Sequence, residues 1–209
     1  MDKDKKKWMQ SFFPGITFMV LLWFIELVKI LFDVNMTRLG ILPREWHGLF
    51  GVLSAPLIHG DFKHLLSNSF PLVVLSTLMF YFYPKKTIET VVCIWLIGGF
   101  WVWIFAGSGY HIGASGIIYG MAAYLVVTGF LRKERSSIAV ALIVVFLYGS
   151  MIWGVFPIRQ GVSWESHLLG AVAGVIIAIY HRPSRKKKKN DGAADYTYNA
   201  EFTYTITKD

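Results

Sequence analysis

One cysteine, Cys93, stands in the whole chain, and it lies inside an apolar run. A lone thiol excludes an internal disulfide framework and any cysteine-built metal centre within one chain. In such a place it is inert packing. Charge is scarce as well: charged residues make up 16% of the chain, where a typical soluble domain carries roughly 25%. Acidic residues are the scarcer kind, 13 Asp and Glu against 21 Lys and Arg, for a net charge of +8. There is no HExxH-type spacing for a metal site, although His59, His64 and His167 make a three-histidine zinc site conceivable. No internal repeat is visible, which counts against inverted-repeat transporters. The apolar stretch after Met1–Trp8 is long and aromatic and has no small-x-small cleavage site, so it reads as a retained anchor helix.

What the chain has in abundance is apolar sequence, 55% of its residues, with a mean hydropathy of +0.48. A membrane helix needs about 20 apolar residues, and the order of runs predicts an all-α membrane protein with six transmembrane helices. The expected spans are about 12–32, 64–83, 90–106, 115–131, 138–155 and 167–180. Between the first two lies Asp33–Lys63, punctuated by Pro43, Pro56 and glycines, an irregular and partly helical loop in the interface. Glu26 and Lys29, three apart near the end of the first span, read as a snorkelling pair. The organisation is thus a basic N-terminus (1–11), a membrane-embedded unit (12–181) and a basic and polar tail (182–209), whose Tyr/Thr-rich end is taken as flexible.

The basic residues sit in short blocks beside apolar runs, which speaks for orientation and against a nucleic-acid partner. Fifteen of them, among them Lys3, Lys5–Lys7, Lys85, Lys86, Arg132, Lys133, Arg135 and Arg182, fall on one side, against Arg38, Arg44, Lys63 and Arg159 on the other. Both termini are then cytoplasmic, as an even number of spans requires. The tail lysines suit anionic lipid headgroups.

Against that background several polar residues are out of place, since ionisable groups in membrane segments are costly and mark function by default. The stretch Gly113-Ala114-Ser115-Gly116-Ile117-Ile118-Tyr119-Gly120 puts a serine in the first turn of a span, where backbone N–H groups lack intrahelical partners and suit a developing anion. A serine among glycines is also common helix-packing glue. His64 and Asn68 share one face at the outer end of the second span, and His167 opens the sixth. Gly116 and Gly120 on one helix and Gly170 and Gly174 on another form small-residue faces that pack backbone to backbone. That packing brings His167 within hydrogen-bond reach of Ser115, the minimum apparatus for covalent acyl transfer. His64, Asn68 and the Ser115 amide are candidate oxyanion donors. His47, His59 and His111 are left to structural or loop packing.

Taken together these motifs resemble the rhomboid family of intramembrane serine proteases. Gly113-Ala114-Ser115-Gly116 corresponds to its Gly-x-Ser-Gly, His64 to Asn68 to its His-x-x-x-Asn, and His167 to Gly174 to its His-x-x-Gly-x-x-x-Gly. The resemblance covers about Trp46 to Tyr180. It implies Ser115 as nucleophile and His167 as base in a dyad without aspartate, with His64, Asn68 and the Ser115 amide as oxyanion hole. It also implies Tyr119 as the ring held against the histidine, and a gate at Met151, Trp153 and Phe156. The family's loop usually carries a Trp-Arg pair, but here Trp46 is followed by His47. The implied activity is hydrolysis of peptide bonds in or beside transmembrane helices of protein substrates, within membrane lipid, with no metal or cofactor. Two other classes share some of these features: a non-catalytic rhomboid-like protein that binds membrane helices, and a small transporter using the buried polar groups as a pathway.

Overall fold

The computed structural model describes residues 2–158 and 161–182; Arg159 and the tail beyond Arg182, with the expectations placed on them, lie outside the described residues. Among the described residues the chain is helical, with one isolated β-bridge between Ile41 and His111. Five stretches are long and apolar enough to cross a membrane: α1 (Lys3–Leu31), α4 (Phe62–Phe82), α5 (Pro84–Phe105), α6 (Ser115–Arg132) and α7 (Arg135–Tyr148) with the 3-10 turn Gly149–Val155 that continues it. The last helix, α8 (Trp164–Tyr180), is apolar but has 17 residues, or about 25 Å of rise for a hydrocarbon core of about 30 Å. The loop after α1 carries two four-residue helices, α2 (Trp46–Leu49) and α3 (Gly51–Ser54).

Boundaries differ from the sequence reading where local chemistry is permissive. The basic N-terminal residues continue the first helix from Lys3 rather than preceding it. Pro84 opens α5 instead of closing the span before it, because proline at the first helical position forfeits an N–H that would be orphaned anyway. Asp61 starts α4: its carboxylate accepts the His64 backbone N–H at 2.8 Å. α8 begins at Trp164, so His167 sits one turn inside, its N–H on Ser163 O.

The helices alternate in direction. Trp8 stacks on Tyr81 and the Lys7 ammonium lies over the same ring, so the start of α1 meets the end of α4. At that same end the Arg132 guanidinium covers Tyr83, and Glu89 binds His181 at 3.1 Å. The opposite end gathers Lys29, His59, His64 and Ser115. Outward faces are apolar, with Phe13, Phe24 and Phe146 all exposed. Inside lie Leu22, Leu65, Leu75, Met79, Ile94, Ile118, Met121 and Tyr124 together with buried Thr87, Thr90 and Ser76. That inside-out distribution suits lipid surroundings, where small and hydroxylated side chains mediate helix contact.

Glu26 does not snorkel. It pairs with Lys29 at 2.7 Å but is turned inward, with only 4% of its surface exposed. The cause is geometric: the Lys29 ammonium also donates to the carbonyls of His59 and Gly60, at 2.7 and 3.3 Å.

Candidate active site

The site is built on the N-terminus of α6. Gly113 has φ +108°, a conformation open to glycine, and any Cβ there would meet the His64 ring at 2.7 Å. Its N–H is held by Ala55 O at 2.8 Å, which anchors the turn to the loop after α1. Ser115 follows as the first residue of α6, 9% exposed, and its own N–H and those of Gly116 and Ile117 belong to the helix's first turn.

The partner comes from α8. His167 Nε2 lies 2.8 Å from Ser115 Oγ, and His167 Nδ1 lies 2.8 Å from Gly154 O. A carbonyl only accepts, so Nδ1 carries the proton and Nε2 is left as the lone-pair nitrogen facing the serine. Tyr119, one turn along α6, stacks flat on the imidazole, centroids 4.1 Å apart and planes 5° from parallel, while its hydroxyl donates to Met151 O at 2.9 Å. The 3-10 turn after α7 therefore fixes both rings. Gly154 has no room for a side chain: a Cβ would run into Tyr119 Oη and lie 3.2 Å from His167 Nδ1.

The proximity of α6 and α8 is a backbone matter. They form the most extensive helix pairing among the described residues, and a Cβ on Gly170 or Gly174 would collide with the carbonyl of Gly116 or Gly120. This close approach sets His167 beside Ser115.

On the other flank, Asn68 is 4% exposed and its amide donates to His64 O at 3.1 Å, while the half-buried His64 ring borders Gly113. His59, 2% exposed, stands behind them. Its Nε2 accepts the Ala114 N–H at 3.4 Å, and its ring meets His64 edge-on at 5.0 Å. Burial, with His64 and Lys29 nearby, pushes its pKa down to about 3, so it is neutral at physiological pH. Its Nδ1 is buried with no hydrogen-bond partner among the described residues. The sequence alone leaves His59 to structural packing. The available signal was its place just before the Gly60–Asp61 cap of α4. The Gly154 carbonyl had no such signal, since it is a main-chain atom.

The structure thus brings together Ser115, His167, Tyr119, Gly113, Gly116, Gly170 and Gly174, with His64 and Asn68 alongside. Of the expected gate residues, Met151 touches the site through its carbonyl, whereas Trp153 and Phe156 are exposed. His111 is a loop clasp, bonded to Ser163 Oγ and Gly107 O. Exposed His47 has no side-chain hydrogen bond or ion pair among the described residues. Arg44 holds the loop: its guanidinium donates to Ile104 O near the end of α5 at 3.2 Å and to Ala106 O just past it at 2.8 Å. Behind Gly113 and Gly116 lies a cavity of about 30 Å³ that reaches His111 and Ser166, enough for a water molecule or two.

Known proteins resemble this chain over most of its length. An uncharacterized protein of Mycobacterium tuberculosis is 36% identical over 194 residues, covering 88% of this chain and 81% of its own. An uncharacterized protein of Mycobacterium bovis matches equally, and one of Mycobacterium leprae is 33% identical over 192 residues, 87% of this chain and 76% of its own. The family model for the Rhomboid domain matches residues 44–184, from Arg44 in the clamped loop through all of α8. The chain is a multi-pass integral membrane protein and belongs to the rhomboid family.

Proposed function

We propose that this protein is an intramembrane serine endopeptidase that hydrolyses peptide bonds in or next to transmembrane helices of other membrane proteins. The observation that carries the reading is the 2.8 Å contact between buried Ser115 Oγ and His167 Nε2, with Nδ1 engaged by Gly154 O. An imidazole fixed in that tautomer is a base aimed at one hydroxyl.

Ser115 Oγ attacks the scissile carbonyl carbon while its proton passes to His167 Nε2, and the carbonyl oxygen becomes an oxyanion. The Ser115 N–H, the His64 ring and the Asn68 amide are the donors proposed for that charge. As the C–N bond breaks, the imidazolium returns its proton to the leaving amine. Water then attacks the acyl-enzyme, giving a proton to Nε2, and the acid is released as Ser115 Oγ regains its hydrogen. The Gly154 carbonyl holds the ring as an aspartate does in the three-member version, and Tyr119 holds it flat. A helical substrate hides its carbonyls in hydrogen bonds, so helix-weakening glycine or proline near the cut favours cleavage.

In this reading α8 also crosses the membrane, giving six spans, and the end bearing Lys7, Lys86 and Arg132 is cytoplasmic. The site then opens to the far side, where water for deacylation is at hand. The test is gel-based cleavage of a reporter transmembrane substrate by the detergent-purified protein. Wild type cleaves, and Ser115→Ala and His167→Ala each lose at least about 10³-fold. Cleavage that survives in Ser115→Ala refutes the serine mechanism; an inactive wild type moves the reading to a helix-binding member of the family.

A further inference from the structure

The mechanism above leaves one buried charge cluster unused, at the end of α1. Glu26 and Lys29 form an ion pair at 2.7 Å with side chains 6% and 17% exposed. An ammonium has three N–H donors, and Lys29 has a partner for each: Glu26 Oε1, His59 O and Gly60 O. Those two carbonyls belong to the turn that leads into α4. The same turn is held at two further points. The His59 ring accepts the Ala114 N–H, and Asp61 caps the backbone N–H of His64. His59 and Asp61 therefore link the Lys29 ammonium to the residue before Ser115 and to the backbone of His64.

A buried ion pair is poor value for stability, because desolvation offsets most of the attraction and apolar replacements of both partners are often neutral or better. In an apolar span it is rarer still. Its retention here calls for another role. We propose that Lys29, neutralised by Glu26, is a positioning residue of the oxyanion hole: it locks the His59–Gly60 turn and through it sets His64 and the Ser115 amide in register. The inference rests on the protease reading and deepens it.

The distinguishing test replaces the pair as a unit, Glu26→Leu with Lys29→Met, and follows reporter-substrate cleavage and thermal unfolding in detergent. A residue that only holds the fold moves stability and activity together. A positioning role predicts a melting temperature near that of wild type, KM within about twofold, and kcat lowered at least about tenfold, since small misplacements of reacting groups carry large rate costs. Because Lys29 acts through the placement of His64, the loss shrinks in a His64→Ala background. A folded double variant with wild-type kcat overturns the inference while leaving the protease reading intact. An inactive wild type overturns both. Should the variant fail to fold, Glu26→Gln with Lys29→Met carries the same expectation, and failure of both to fold overturns the proposal, the pair then holding the fold and not the site.

Discussion

Replacing Gly170 by alanine adds one methyl group where α8 meets α6. Its Cβ would overlap the Gly116 carbonyl oxygen and lie 2.8 Å from the carbonyl carbon and 3.0 Å from the Cα, whereas ordinary Cβ contacts begin at 3.4 Å. The carbonyl carbon alone must retreat from 2.8 to 3.4 Å, a shift of at least 0.6 Å, and the oxygen further. Both partners are backbone, so no side chain can rotate away. The helices must part at the turn between Ser115 and His167. Overpacking of this kind costs about 1–3 kcal/mol, and displacing reacting groups by about 1 Å costs on the order of 10²-fold in rate. The 2.8 Å dyad contact has no slack to absorb it. The assay is the second-order rate of labelling by a serine-reactive fluorophosphonate, beside thermal unfolding in the same detergent. Gly174→Ala, which meets the Gly120 carbonyl one turn farther from the dyad, should cost similar stability and less reactivity. A folded Gly170→Ala protein labelled at the wild-type rate would refute the view that helix proximity sets the dyad.

Other perturbations separate the site's supports. Tyr119→Phe keeps the stack on His167 and loses the bond to Met151 O, so cleavage should fall only a few-fold, while Tyr119→Ala should fall well beyond that. Arg44→Ala frees the Ile104 and Ala106 carbonyls and should cost about 1–3 kcal/mol, read as a lower melting temperature. His59 is held neutral by the fold, with a pKa of about 3 against 6.5 when unfolded. The unfolded chain binds the extra proton between those values, so this contribution is complete above pH 6.5 and is lost as pH falls below it. Melting temperature should therefore decline from pH 7 to pH 5, less steeply in His59→Gln; an unchanged slope would contradict the burial account.

Much of the candidate site is legible because its parts are side chains or glycines at helical spacing. Ser115, His167, His64, Asn68 and the two glycine faces announce themselves in a chain otherwise so apolar. What stayed hidden depends on main-chain atoms and on distant pairings. No pattern in the sequence assigns the Gly154 carbonyl to His167, because any residue has a carbonyl. The inward turn of Glu26 could not be read from its spacing to Lys29, since the deciding partners, His59 O and Gly60 O, lie about thirty positions away in the chain. Likewise Pro84 marks a boundary in sequence, but whether it ends one helix or begins the next depends on the turn at Tyr83. The count of spans is the least legible feature: α8 is apolar beyond its first turn but short, and its length alone does not take it across.

The most direct measurement is to react the purified wild-type protein with a fluorophosphonate and locate the adduct by peptide mass spectrometry. The account predicts a single modified residue, Ser115, with modification abolished in His167→Ala because the base 2.8 Å away activates the hydroxyl. Modification at another serine, or at Ser115 undiminished in His167→Ala, would contradict it.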